Sequence, residues 1–554
     1  MQRKTPKKPS GLVITMLKAV VLFILVIAIS DSIINMITKN YVMRDALEYL
    51  IIGGYIIAVY KTLIADKLKD NTLINKIIKG LGILITGNML MNAITKIAGN
   101  KCISILVGWA WLIATIYLIY LVFKTSNNGN ILNSVNPFVK EAEGIIFGKK
   151  GSTVYSMPET EEGHVIVIGG QGTAKTQSVS LPTLLTWKGA AIVIDIKGEL
   201  HSFTAGYREK VIGSKVYVFD PDDPNCDCYD PLEQIKEIDG ATELARNIIP
   251  TQEKDPFWSQ CAQGVFASAI LDGINKNQAF GDICERILVT EPNQLIEELF
   301  NSEDNRVKLL CSAANGIAEN TLTGVFSTLR TYILTFASDE KIRNATRKTS
   351  WTPAVLEEGA TIYLRIHESM IGQYKGLIAS MISQTFRYLT KRKDHQQPSI
   401  LMLLDELPRL GKVEGLAEAM GTLRSRNVHI VPIVQSLSDL DRHYGKEIRK
   451  IVIDNTSYKV ILGVGDFDTQ KYFSDLSGTH KVWQKSYNNG GLLGMTKGNT
   501  DSLVEEKVIK PERFGQLKVD KKSIVFGLRE PIEVDKLLAY ETPKYKKLID
   551  TYGL

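Results

Sequence analysis

Cysteine is scarce in this 554-residue chain: six scattered residues, Cys102, Cys226, Cys228, Cys261, Cys284 and Cys311. That argues against a disulfide-stapled scaffold and fits reduced thiols. Cys226-Asp-Cys228 has no second pair at zinc-ligand spacing, and the seven histidines are dispersed without an H-E-x-x-H pattern. No G-x-S-x-G elbow of the hydrolase kind occurs. No internal repeat is apparent, which argues against a solenoid. An excess of charge is lacking too. Against 60 acidic residues stand 66 Lys and Arg, a formal net charge of +6. Such a balance permits contact with nucleic acid or anionic lipid without demanding it.

Apolar residues make up 44% of the chain, unevenly, and the most apolar sequence lies before Lys124. Residues 12–30, 48–60 and 103–123 read as membrane spans, and 80–95 as a weaker one interrupted by three glycines and two asparagines. Arg3, Lys4, Lys7 and Lys8 precede the first span. Lys61, Lys67, Lys69, Lys76 and Lys79 lie between the second and third. The positive-inside rule then predicts a helical transmembrane region over 1–125 with four spans and both ends cytoplasmic. Two spans with interfacial middle segments is the alternative. More spans follow the first, so it is read as an anchor rather than a cleaved leader.

Beyond a polar linker the pattern is α/β. HVIVIGG (164–170), GAAIVIDIKGEL (189–200) and KVYVFDP (215–221) read as strands with glycine or an acid at their carboxyl ends. Strand signals fade between 233 and 345, where helix-period apolar residues predict an all-α insertion. They resume with TIYLRI (361–366), SILMLLDE (399–406), VHIVPIVQS (428–436) and YKVILGV (458–464). The expectation is one doubly wound sheet in two parts, 126–232 and 346–554, with ligands bound beyond the strands' carboxyl ends. The Gly/Asn-rich piece 486–500 reads as a flexible surface loop.

Gly169-Gly170-Gln171-Gly172-Thr173-Ala174-Lys175-Thr176 follows a strand and opens a helix, the setting of a phosphate-binding loop. Backbone N–H groups would cradle the phosphates, Lys175 would reach the β and γ phosphates, and Thr176 would ligate Mg²⁺. The usual pattern has glycine where Ala174 stands. SILMLLDEL supplies a second element, an apolar strand ending in Asp405-Glu406, as in a Walker B motif. Asp405 would join the Mg²⁺ shell and Glu406 would activate water. Together the two elements predict ATP hydrolysis with Mg²⁺. Gln435 ends the next strand, where a polar side chain could sense the γ-phosphate. Arg424 and Arg426 precede that strand and are candidates for a finger acting on a neighbour's nucleotide. A solvated basic turn is the plain alternative.

Several stretches together resemble the type IV coupling proteins, the TraG-like, VirD-type ATPases of conjugation and secretion. They are GGQGTAKT, SLPTLLTWKGAAIVIDIKGEL (180–200), VFDP (218–221), YDPL (229–232), DPFW (255–258), LLDELPRLG (403–411), VPIVQS (431–436) and HYG (443–445). The resemblance implies a RecA-like P-loop motor with an all-α insertion behind amino-terminal spans, and it covers roughly 140–540. It implies a homohexamer in the cell membrane with its ATPase body in the cytoplasm. It also implies single-stranded DNA bound to relaxase or relaxosome proteins as cargo, and a type IV secretion channel as partner. By resemblance Asp405, Glu406, Gln435 and Arg424 carry the catalytic roles. Two readings compete: an FtsK-type DNA pump, although no clear winged helix follows 505, and a non-hydrolysing cargo-docking scaffold, which Ala174 favours.

Overall fold

The strands of the central parallel sheet are built from β-branched and apolar runs. The computed structural model describes residues 138–139, 143–252, 254–489 and 497–554. The four expected spans lie outside the described residues, and among the described residues no helix is long and apolar enough to cross a membrane. The chain divides into two units, Met1–Asn136 and Pro137–Leu554.

The strands are β1 (Phe138–Val139), β2 (Ile145–Lys150), β3 (Thr153–Met157), β4 (His164–Gly169), β5 (Ala190–Asp195), β6 (Val216–Phe219), β7 (Thr361–Arg365), β8 (Ile400–Leu404), β9 (Val428–Val434), β10 (Thr456–Gly463), β11 (Thr479–Asn489), β12 (Lys497–Lys507), β13 (Lys522–Phe526) and β14 (Ile532–Asp535). Twelve form one sheet in the order β1-β3-β2-β14-β13-β10-β4-β9-β8-β5-β7-β6. From β10 to β6 neighbouring strands run parallel; β13, β14, β2, β3 and β1 extend the sheet antiparallel.

Both faces of the parallel part are covered, which is why its strands read as unbroken apolar runs. Ile166, Ile168, Ile192, Ile194, Met402 and Leu404 point into one core. Val165, Val167, Val193, Leu401 and Leu403 point into the other, as a period of two requires. Between β6 and β7 run the helices Ile238–Ile248, Pro256–Asn275, Phe280–Val289, Pro292–Phe300, Asn305–Cys311, Glu319–Ser338 and Glu340–Ala345. Their apolar side chains, among them Leu244, Phe266, Ile270 and Phe336, belong to the same core as one sheet face. The insertion is therefore fused to the motor through a shared core rather than closed on one of its own.

One expectation is overturned. Residues 486–489 and 497–500 are not loop but the distal ends of β11 and β12, an antiparallel ribbon separate from the main sheet. Its proximal register sets Lys481 opposite Glu505, Val482 opposite Val504 and Trp483 opposite Leu503. Charge-complementary and apolar cross-strand pairs of this kind hold a ribbon whose Asn/Gly composition suggests only a loop.

Candidate functional site

Five parallel strands, β10, β4, β9, β8 and β5, bring the sequence motifs to one edge of the sheet. Gly169 ends β4 because nothing larger fits: an added Cβ would lie 2.5 Å from Thr173 Oγ1. The loop is then tied to the end of β10 by Gly170 N–H donating to Gly463 O at 2.8 Å. Two loop residues are left-handed, Gly172 at φ 70° and Ala174 at φ 66°. For glycine this is free; for alanine it costs about 1–2 kcal/mol. The strain is held in place: Ser178 donates to Ala174 O through its N–H at 2.8 Å and its hydroxyl at 2.7 Å.

Lys175 folds back over its own loop, Nζ donating to Gly169 O at 2.9 Å and Gly170 O at 3.4 Å. Burial pushes its pKa down, opposed by the carboxylates of Asp405 and Glu406. Thr176 opens the π-turn Thr176–Ser180 and lines a cavity with Asp195, Lys197, Glu199, Asp405 and Glu406. Asp405, just past β8, is half-buried, with its Oδ1 shut off from solvent. Burial first, and Glu406 next, push its pKa up to about 7, against the pull of Lys175. Its Oδ1 has no hydrogen-bond partner among the described residues. An orphaned carboxylate oxygen in the cavity that Thr176 lines suits a divalent cation, and the cradle with its lysine suits the phosphates that would bring one.

Glu406 sits at φ 51°, a left-handed turn that directs the chain away after β8. Its carboxylate accepts from Arg409 Nη1 at 3.0 Å, and Arg409 Nη1 also donates to Glu368 at 2.8 Å. Gln435 lies exposed immediately beyond β9, the strand between β4 and β8, and so between the two motifs. Arg424 is not brought to this site. It lies exposed in the turn Arg424–Arg426 before β9, at the opposite edge of the sheet. The seven residues of β9 separate it from Gln435 by about 20 Å. HYG is likewise remote in role: Tyr444 Oη accepts from Val413 N–H at 3.1 Å, and Gly445, at φ 75°, kinks the helix Leu437–Asp454.

Sequence reasoning left Asp195, Lys197 and Glu199 without roles, although the acid at the end of β5 was visible. Asp195 Oδ2 accepts from His201 N–H at 2.8 Å, fixing the start of the helix Glu199–Tyr207; burial raises its pKa and its backbone donors oppose this.

With this geometry in view, comparison with known proteins decides the family. The sequence profile described as Type IV secretory system Conjugative DNA transfer matches residues 125–552. The chain belongs to that family. It is 26% identical over 434 residues to Protein VirD4 of Rhizobium radiobacter, across 74% of this chain and 62% of that protein. It is 23% identical over 424 residues to conjugal transfer protein TraG of Escherichia coli, across 69% of this chain and 66% of that protein. The match thus spans a little under two thirds of the VirD4 relative's length. The fold is that of plasmid coupling protein TrwB, solved in complex with ADP and Mg²⁺. That structure superposes with a TM-score of 0.55 at 17% identity, covering 72% of this chain and 90% of TrwB.

Proposed function

We propose that this family member is a membrane-anchored ATPase that couples relaxase-bound single-stranded DNA to a type IV secretion channel and drives its conjugative transfer. The observation that carries the reading is the convergence of Thr176, Asp405 and Glu406 on one cavity at the carboxyl edge of the sheet, with Lys175 close enough to feel both carboxylates. The TrwB neighbour's bound ADP and Mg²⁺ support nucleotide as the ligand.

Lys175 leaves the carbonyls of Gly169 and Gly170 for the nucleotide's β and γ phosphates. Thr176 and Asp405 hold Mg²⁺, which when bound neutralises charge developing on the phosphates. Glu406 orients and activates water once Arg409 releases it, and Gln435 senses the γ-phosphate. Arg424 faces away from its own site, so it serves a neighbouring subunit's nucleotide in a homohexameric ring. Contact with DNA through backbone phosphates makes binding largely sequence-independent and salt-sensitive. The spans over 1–125 anchor this body in the cell membrane with the motor in the cytoplasm.

Lys175→Ala is expected to abolish ATP turnover and conjugative transfer while leaving membrane insertion intact. Wild-type transfer by that variant would overturn the motor. Transfer without turnover in the unaltered protein would favour the docking scaffold.

A further inference from the structure

Two lysines far along the chain reach the phosphate loop, and neither belongs to a motif. Lys536, directly after β14, is 7% exposed. Its Nζ donates to Leu462 O at 2.7 Å, Thr173 O at 3.0 Å and Leu517 O at 3.4 Å. That uses all three donors of an ammonium. Among the described residues no carboxylate lies within ion-pair reach of it, so carbonyl dipoles alone offset the cost of burying its charge. Lys518, exposed after the helix Pro511–Gln516, donates from Nζ to Gln171 O at 3.0 Å. Gly172 leaves room for it: an added Cβ there would lie 3.0 Å from that nitrogen.

The side from which they reach the loop matters. β10 flanks β4 on one side; β9, β8 and β5, which carry Gln435, Asp405, Glu406 and Asp195, lie on the other. Lys536 bridges the loop to Leu462 in β10, and Lys518 follows the segment whose Phe514 O accepts from Val464 N–H at 3.1 Å just past β10. In a trans peptide the carbonyl and the next residue's N–H point in opposite directions. Drawing the carbonyls of Gln171 and Thr173 toward β10 therefore turns the N–H groups of Gly172 and Ala174 toward the carboxylate side. Alternate peptides with their N–H groups on one side form an anion-binding concavity.

We propose that Lys536, seconded by Lys518, is a positioning residue that presets the loop's N–H groups for the β-phosphate of a nucleoside di- or triphosphate. The inference rests on the nucleotide-site reading above. It also explains how Ala174 keeps a left-handed conformation that its Cβ disfavours: the peptide before it is clamped from behind.

The test is ADP affinity of the full chain in detergent, with the thermal midpoint of the unliganded protein as the measure of folding. Lys536→Met is expected to weaken ADP binding tenfold or more. Lys518→Met, at an exposed position, is expected to weaken it about threefold with an unchanged midpoint, and Lys518→Arg to restore it. Both Met deficits should persist in 0.5 M salt, because peptide orientation is not screened. Wild-type affinity in Lys518→Met and in a folded Lys536→Met would overturn the proposal. Should Lys536→Met not fold, wild-type affinity in Lys518→Met alone would overturn it. A Lys518→Met deficit that vanishes at high salt would also overturn it, leaving only charge attraction. Lys175→Ala separates the underlying reading: undiminished ADP binding by that variant would mean that the nucleotide site itself is misassigned.

Discussion

The two edges of the central sheet are built from the same strands and obey opposite rules. At the amino-terminal edge two histidines and an arginine are buried and matched. His164 Nδ1 accepts from Ile430 N–H at 3.0 Å while its Nε2 reaches Met420 O at 3.1 Å. His429 Nδ1 reaches Gly163 O at 3.1 Å. Arg208, fully buried, donates to Trp187 O at 2.7 Å, Gly189 O at 2.6 Å and Thr361 Oγ1 at 2.6 Å. At the carboxyl-terminal edge Ala174 and Glu406 are left-handed, Asp405 Oδ1 has no partner and Lys175 is turned back on its own loop. One edge satisfies these buried groups within the folded chain alone. The other holds strain and an unmatched charge that a ligand would relieve, and that is where function is expected to lie.

The contrast can be broken most forcefully with acid. Burial holds His164 down to about 3 and His429 to about 4, the latter's charge adding to the pressure on His164. Both folded values lie below the 6.5 of an ordinary histidine, so as pH falls from 6.5 toward 4 the unfolded chain binds protons that the folded chain refuses. Stability present above 6.5 is therefore lost, by roughly 3 kcal/mol for each ring at pH 4. Denaturant midpoints measured from pH 7 to 4.5 should fall more steeply for the wild type than for His429→Gln. Parallel curves would show that the amino-terminal edge is not the acid-sensitive element.

The opposite edge should respond in the opposite sense to loss of a charge. Asp405→Asn removes a half-buried carboxylate whose Oδ1 is shut off from solvent and unpartnered. It is expected to stabilise the unliganded protein by about 1–3 kcal/mol while eliminating Mg²⁺-dependent turnover. A midpoint below that of the wild type would mean that Asp405 supports the fold, and the two edges would differ less than proposed.

These two edges were not equally legible in the sequence. The parallel strands and both motifs announced themselves, because buried parallel strands are continuous apolar runs and a phosphate loop is a local pattern. Asp195 was visible as an acid at a strand end, but its approach to Thr176 depends on strand order, which spacing does not encode. Lys518 and Lys536 carried no signal, since each meets the loop from more than 340 residues away. The ribbon β11–β12 was hidden by its Asn/Gly composition, and its pairing comes from charges that complement one another only across strands. Arg424 was placed correctly before β9 in sequence, yet only the fold sets it at the far edge.

The smallest effect bears on the residue that departs from the phosphate-loop pattern. Ala174→Gly relieves the left-handed cost of about 1–2 kcal/mol, but glycine also gives the unfolded chain about 0.5–1 kcal/mol of extra entropy. The two nearly cancel, so stability is expected to rise by 1 kcal/mol or less. Turnover should change by less than about fivefold, the equivalent of 1 kcal/mol in the barrier, because the wild-type loop is already in the conformation that glycine would permit. A rise of tenfold or more would mean that the alanine methyl group itself meets the phosphates. The departure would then limit the motor's speed, and the burden would move from the backbone, which Lys536 holds in place, to the single Cβ in front of it.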